Sequence, residues 1–332
     1  MSVVNQFNRS PHDKYRKVLV TGASGFIGRY VVSELLLDNA EVYVLSRNAK
    51  QLIENFTNIH IIQSDITQTI NIPENISTIY HCAGNIRSID SMYSVNVNGT
   101  NQVIKAAIKS GCKLVHLSSA GVVRPSSANI IDEISDCIPA SNYERTKLEA
   151  ERIILEAVKE GLQTVILRPT IVFGVGRNPK NDSFLHLIRA IKSGKYRNIE
   201  NGKGIYNIVH AQEVARAMLI LEQSEKRSGE TYFINTPVSF KELSKYVSDA
   251  ILCSPPKSIS FSVAFLAAAF CSMLNKLSIS ELPLTWSRLS ALTNKTIYSQ
   301  DRLLAETNYV PKASVEQYIQ EVCNSYISLG LL

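Results

Sequence analysis

None of the six cysteines, at 82, 112, 137, 253, 271 and 323, stands in C-x-x-C spacing, and no cysteine–histidine cluster has zinc spacing. No metal site is expected, and such scattered cysteines read as reduced core residues of a cytosolic protein. A clustered basic face is missing too. The net charge is +6, but lysines and arginines are spread along the 332 residues. Nucleic acid is therefore not an expected partner, whereas a bound anion such as a phosphorylated cofactor suits the balance. Residues 1–16 are polar and contain no apolar stretch that could serve as a signal peptide; they read as a flexible tail, and a cytoplasmic location is expected. Internal repeats and low-complexity segments are also missing. The mostly apolar run FSVAFLAAAFCSML (261–274) is shorter than the about 20 residues a bilayer crossing takes.

What is present is an alternation of short apolar runs and helical periods, the pattern of a parallel sheet covered by helices. Strands are expected at 17–21, 41–45, 59–63, 78–82, 113–118 and 164–168. Helices are expected at 26–37, 93–110 and 143–160, and after Pro169 at 183–193, 211–223, 239–252, 261–276 and 315–328. Strand-like pieces near 205–209 and 231–234 are read as completing the sheet. The expected architecture is an α/β fold, a Rossmann-type doubly wound parallel sheet over 17–170 with a smaller mixed C-terminal substrate lobe over 171–332.

Residues 21–28 read TGASGFIG, between a strand and a helix, which is the context a dinucleotide loop requires. Gly22 permits the tight turn, Gly25 lets the backbone approach a pyrophosphate, and Gly28 lets helix pack on strand. The helix start then offers N–H donors and a positive dipole end. Where an NAD binder usually carries an acid, this chain has Ser46 and Arg47. A hydroxyl and a guanidinium suit a 2′-phosphate, so NADP(H) is expected, with NAD(H) the alternative; a solvated arginine is the bland reading. Asp65 and Ile66 follow the third strand, and Ala83 and Gly84 the fourth, at the places of the adenine and of the passing cofactor.

Tyr143 and Lys147 are four residues apart at a helix start, so they share one face. Ser118 and Ser119 end the fifth strand, the edge that borders the ligand crevice in such sheets. Hydride transfer to a carbonyl builds charge on oxygen, which needs a proton and a hydrogen bond. Tyr143 is expected to supply the proton, its pKa lowered by the Lys147 ammonium, and Ser119 the hydrogen bond.

The segments TGASGFIG, NVNGT (96–100), LSSAG (117–121), Tyr143-x-x-x-Lys147, LRPTIVFG (167–174) and IVHAQEVA (208–215) stand in the order found in extended short-chain dehydrogenases/reductases. The chain resembles the NAD-dependent epimerase/dehydratase group of that superfamily over roughly 17–329. The resemblance implies Ser119, Tyr143 and Lys147 as catalytic triad, and Pro169 to Ile171 against the nicotinamide amide. It implies Asn96 as a brace of the sheet, and a homodimer through the 93–110 and 143–160 helices. Ser24, Phe26 and Ile27 complete the cofactor candidates. Asn85, Ser119, Phe173, Arg177 and Tyr206 are the substrate candidates. Tyr206 stands where nucleotide-sugar epimerases look to carry an arginine on the substrate diphosphate.

The expected activity is hydride transfer between NADP(H) and a keto or hydroxyl carbon, first of a nucleotide-activated sugar. A lipophilic alcohol or ketone, or an epimerase with retained NAD, are the alternatives. The apolar 261–274 helix is expected to be ordinary core, with peripheral membrane contact the less favoured reading; as core, it would make Phe265→Asp unfold the lobe.

Overall fold

The computed structural model describes residues 16–48, 52, 54–124, 129–176, 182–223, 228–276 and 284–332. In chain order the first half runs β1 (Lys17–Thr21), α1 (Phe26–Leu37), β2 (Glu41–Ser46), β3 (Ile59–Gln63), β4 (Ile76–His81), α2 (Ile89–Tyr93), α3 (Gly99–Ser110), β5 (Lys113–Leu117), β6 (Ile130–Ile131) and α4 (Asn142–Lys159). The second half runs β7 (Thr164–Pro169), β8 (Ile171–Phe173), α5 (Ser183–Lys192), β9 (Asn198–Ile199), β10 (Ile205–His210), α6 (Ala211–Glu222), β11 (Glu230–Ile234), β12 (Thr236–Ser239), α7 (Phe240–Ala250), β13 (Ser258–Ile259), α8 (Phe261–Lys276), α9 (Trp286–Thr293), β14 (Ile297–Tyr298), α10 (Asp301–Glu306) and α11 (Val315–Ser328).

Seven strands form one sheet in the order β11-β7-β5-β4-β1-β2-β3, every neighbouring pair parallel. The two faces bury different clusters, as the strand period of two requires. Val18 and Val20 of β1 join Val31 and Leu35 of α1 and Val214 and Met218 of α6 on one face. Leu19, between them, joins Ile104 of α3, Leu114 and Ile154 of α4 on the other. The chain order reverses at β1, which has β4 on one side and β2 on the other. In an open sheet a ligand crevice lies at the carboxyl ends of strands at such a reversal.

The structure corrects three expectations. Of the two late strand pieces only β11 joins the main sheet; β10 pairs with β8 and β12 in a separate three-stranded sheet. The chain leaves the main sheet at Pro169, and β8, starting two residues later, gives β10 a parallel partner. The helix expected over 93–110 is broken into α2, a π-turn at Ser94–Asn98 and α3. There the Thr100 hydroxyl donates to the Asn96 carbonyl at 2.6 Å, and hydroxyls bonding back in this way bend helices. Thirdly, Arg16, placed in the tail, is buried against Asp38 at 2.9 Å and Glu222 at 3.3 Å; the rest of that tail lies outside the described residues. Cys112 and Cys323 are buried as expected, but Cys137 is exposed.

Helix α4 is fixed at both levels. Ser141 caps it, its hydroxyl accepting from Glu144 N at 3.2 Å while the Glu144 carboxylate accepts from Ser141 N at 2.8 Å. Deeper, Arg168 of β7 donates to the Glu151 carboxylate at 2.9 and 2.6 Å, and both side chains are buried. Breaking a buried pair from one side leaves an uncompensated charge. Arg168→Ala should therefore lower the unfolding free energy by about 3–5 kcal/mol. Replacing both residues by Met and Leu should recover most of that loss. Urea denaturation of the three proteins checks this; a single-variant loss under about 1 kcal/mol would sink the role given to the pair.

Candidate active site

A cleft of about 420 Å³ opens at the carboxyl ends of β1, β2, β3 and β4. Gly22, Ser24, Gly25, Ser46, Arg47, Asp65, Ile66, Ala83 and Gly84 all line it, as the sequence leads one to expect. Leu45, Asn48, Ser64, Cys82 and Val95 line it as well. Each of the first four stands next to an expected residue; Val95 precedes Asn96 in the π-turn. Gly28 works behind the cleft: a Cβ on it would lie 2.2 Å from the Gly22 carbonyl oxygen. Ile27 packs its side chain on the core, and Phe26 sets its ring edge-on to Tyr30 at 6.0 Å.

The cleft fits a dinucleotide. Gly25 is the N-cap of α1 and no side chain caps that end, so the first-turn N–H groups face the loop. Gly22 has φ +71°, and a Cβ there would lie 2.5 Å from Ala83 N; only glycine lets the two strand ends approach so closely. Ser46 is buried and its hydroxyl bonds within its own turn, to Asn48, at 3.2 Å. Arg47 is 74% exposed and lies 3.7 Å from the Asp65 carboxylate. Bonds from Thr67, its backbone N–H first, hold that carboxyl below its usual range despite some burial.

Beyond the cleft, α4 presents Tyr143 in its first turn and Lys147 one turn on. Ser119 follows β5 as the cap of a short 3₁₀ turn, its hydroxyl accepting from Gly121 N at 3.2 Å. The same hydroxyl lies near enough to the Tyr143 phenol to lower its pKa. The neighbouring Ser118 is buried, and its hydroxyl has no hydrogen-bond partner among the described residues. Ser119 is only half-buried, so it is the serine that a ligand can reach.

The electrostatics differ from the expectation. Burial pushes the Tyr143 phenol up to about 12; the nearby Ser119 hydroxyl lowers it and Glu144 raises it. The ammonium was expected to lower it, but Lys147 does not set this value. Lys147 is itself buried and donates to the Leu117 carbonyl at 2.5 Å. Burial brings its pKa down to about 8, against the pull of Glu151 and Cys82. Two buried histidines share this layer, their rings 5.1 Å apart. His81 bonds Thr21 at 2.7 Å and Thr100 at 2.9 Å, and is held down to about 3 by burial and then by Lys147. His116, with no hydrogen-bond partner among the described residues, is held well below the usual range by burial, Lys147 and His81. Both rings are neutral at physiological pH.

The resemblance implies Asn96 as a brace of the sheet; its side chain instead ties the Asn85 loop to α4. Its amide accepts from Asn85 N at 2.7 Å, donates to Asn85 O at 3.0 Å, and reaches Thr146 of α4 at 2.9 Å. Thr146 in turn donates to the Tyr143 carbonyl at 2.8 Å. The NVNGT segment was the signal for Asn96; nothing in the sequence singled out Thr146, His81 or His116.

Several candidates are not free for substrate. The Asn85 side chain donates to Ser91 at 2.7 Å and accepts from Arg87 N and Ser88 N at 3.0 and 3.1 Å, so it shapes its own loop. Phe173 is packed between Phe184 and His210 at 5.0 and 5.2 Å, because alternation along β8 turns it inward. Tyr206 leans on Phe240 at 5.2 Å. Pro169 is buried at the end of β7, and Ile171 is half-exposed beyond it. Arg177 lies outside the described residues.

Comparison with known proteins agrees with this geometry. Residues 18–234 match the profile of the NAD dependent epimerase/dehydratase family, and the chain belongs to that family. It is thus an enzyme from a group of NAD-dependent dehydrogenases, epimerases and reductases. It is 27% identical to 3beta-hydroxysteroid-dehydrogenase/decarboxylase isoform 1 of Arabidopsis thaliana, across 95% of this chain and 80% of that protein. It is 26% identical to the 2-alkyl-3-oxoalkanoate reductase of Stenotrophomonas maltophilia, across 92% of this chain and 98% of that one. In fold it is similar to UDP-glucuronic acid 4-epimerase from Bacillus cereus in complex with NAD, with a TM-score of 0.71 and 20% identity over 94% of this chain and 99% of that one.

The buried ammonium makes a testable contribution to stability. The Lys147 pKa is about 8 folded against an ordinary 10.5, so the unfolded chain holds its proton more tightly. Below about 8 both states are protonated and the burial penalty is present in full. As pH rises from about 8 to 10.5 the folded state has released a proton that the unfolded one keeps, and stability rises. Wild type should therefore gain on Lys147→Met across that window in paired denaturation curves. A constant difference would show that the ammonium is not desolvated.

Proposed function

We propose that the protein interconverts a secondary alcohol and its ketone on a lipophilic molecule, with NADP(H). The observation that carries the chemistry is the placement of a half-buried Ser119 at the end of β5 beside Tyr143, with Lys147 buried one helical turn further along α4. When bound, the nicotinamide supplies or accepts the hydride. In the reducing direction the carbonyl oxygen gains an electron pair and needs a proton. Tyr143, with its pKa about 12, is protonated at neutral pH and gives that proton, while Ser119 donates a hydrogen bond to the same oxygen.

The lipophilic class rests on two supports. A sugar diphosphate needs a cation, yet Tyr206 at the corresponding place is an aromatic leaning on Phe240. The relatives named above act on a hydroxysteroid and on an alkyl oxoalkanoate by their names. This order reverses the one read from sequence alone, where the nucleotide-activated sugar stood first. Turnover of NADPH with steroid-like ketones, set beside keto-sugar nucleotides, decides between the two classes. Tyr143→Phe should keep cofactor binding and lose roughly 10²- to 10⁴-fold in turnover. Near-normal turnover in the folded Phe variant would remove Tyr143 from the chemistry.

The NADP(H) preference rests on Ser46 and Arg47. The exposed Arg47–Asp65 contact is worth about 0–1 kcal/mol. Charge-assisted bonds to a 2′-phosphate contribute about 1.5–3 kcal/mol, so the phosphate outcompetes the carboxylate. That difference corresponds to roughly 10- to 150-fold in affinity for NADPH over NADH. Arg47→Ala should remove most of it, and adding Ser46→Asp should turn the preference toward NADH, read by cofactor fluorescence titration. Tighter NADH binding by the unmutated protein would overturn the assignment and bring the epimerase reading forward.

A further inference from the structure

Helix α8 is built inside out. Twelve of its 16 residues are apolar, close to the composition of a helix enclosed on every side. Yet the side chains it buries completely are the small ones, Ala264 and Ala268, in a cluster with Ile199 and Leu289. The bulky ones face outward: Leu266 is 68% exposed, Phe270 59%, Met273 55% and Phe265 45%. Phe261 and Trp286 extend the same patch, Trp286 meeting Phe265 edge-on at 4.8 Å. Singly exposed hydrophobics are ordinary, but a contiguous aromatic and aliphatic patch marks an interaction surface.

We propose that this face docks on an anionic lipid bilayer, with α8 lying in the plane of the interface. Charge selects the occupant. From Ile251 to Gln300 the chain carries Lys257, Lys276, Arg288 and Lys295 against one acid, Glu281. Arg197 joins them in space, because Asn198 N donates to the Lys257 carbonyl at 3.0 Å where the chain enters α8. Glu200 is the acid of that corner, between exposed Arg197 and Lys203. An apolar aromatic face on a segment of net positive charge, with the Arg197–Lys257 corner at its start, fits a headgroup region that is negative outside and greasy beneath. A symmetric contact with a second copy would bring the same cations together. The helix also suits lying flat, since no helix among the described residues is long and apolar enough to cross a membrane. The correction to the sequence reading is direct: Phe265 is not core, and Phe265→Asp should leave the fold intact. The inference does not depend on the substrate or cofactor assigned above.

The chain carries its own probe, since Trp286 is its only tryptophan. Full-length protein is mixed with vesicles of phosphatidylcholine plus phosphatidylserine, and with phosphatidylcholine alone. Emission from Trp286 should move to the blue and the protein should co-sediment with the anionic vesicles, less so in high salt. The triple variant Phe265→Ser, Leu266→Ser, Phe270→Ser should lose at least ~tenfold in vesicle binding, with its melting temperature and elution volume unchanged. Absence of wild-type binding, equal binding to both vesicles, or full binding by the triple variant overturns the proposal. So does a variant that converts a dimer to a monomer, because the face then belongs to a second copy. If the triple variant does not fold, Arg197→Glu with Lys257→Glu, both at exposed positions, decides. Undiminished binding of that variant to anionic vesicles is again fatal to the idea.

Discussion

The close approach of Gly22 to Ala83 is the contact on which the site depends. With the Cβ of any other residue the two backbones would collide at 2.5 Å, so β1 and β4 could not end side by side. Because they do, Cys82 N reaches the Thr21 carbonyl at 3.1 Å and the ladder continues past the strands' formal ends. Gly28 applies the same constraint from the helix side, seating α1 against the turn. Strand ends, helix start and loop thus share one small volume, and the uncapped first-turn N–H groups of α1 are aimed by packing alone. A crevice fixed by backbone contact is rigid before any ligand arrives, which keeps the ordering cost of binding low.

Under the crevice lies a polar layer whose charges are arranged in opposition. Lys147 is a buried cation, and burial alone would neutralise it. Glu151, one turn further along α4, pulls the other way. Glu151 is in turn committed to Arg168, so two cations share one carboxylate in a nearly dry interior. The histidines add no charge, because burial and Lys147 both oppose their protonation. The outcome is a lysine poised near neutrality beside a phenol pushed upward. Burial thus drives two ordinarily similar pKa values apart, to about 8 and about 12, and a pair driven apart has its roles assigned: the phenol is the group that keeps its proton until the reacting oxygen takes it.

The parallel sheet was legible in the sequence because its strands are buried on both faces and read as continuous apolar runs. Val18 to Val20 and Leu114 to Val115 left little room for another period. The pieces that escaped notice, such as β9, β13 and β14, are two residues long, below any periodicity. The break at Ser94–Asn98 was hidden because a π-turn keeps helical composition while changing only the hydrogen bonding. At the site, the glycines and the Tyr143–Lys147 spacing were readable as chemistry. Asn85 and Phe173 were misplaced because their roles depend on loop bonding and inward alternation, which one-dimensional spacing does not encode. The pKa of Tyr143 failed for a related reason: the sequence shows that a lysine is near, but not that its ammonium is turned to the Leu117 carbonyl.

Helix α8 shows where composition and placement part company. Mean apolarity favours the interior, and from the sequence a membrane face stood only as the second reading. What decides is which residues are small. With Ala264 and Ala268 against the protein, the backbone of α8 sits close to its support, and the Phe and Leu side chains have nowhere to go but out. A core helix would do the reverse, since burying large side chains gives the greater gain, about 1.5–3 kcal/mol for each Leu, Phe or Met. The protein forgoes that gain at Leu266, Phe270 and Met273 together, a sacrifice that a stable fold does not make on three neighbouring positions without a second apolar surface to meet them. The fold shared with sugar-nucleotide enzymes fixes the crevice and its chemistry, and fold alone does not choose the substrate. This outward face, far along the chain from the glycine loop, is where the sequence departs from what the fold requires, and such departures are where function specific to one chain is to be sought.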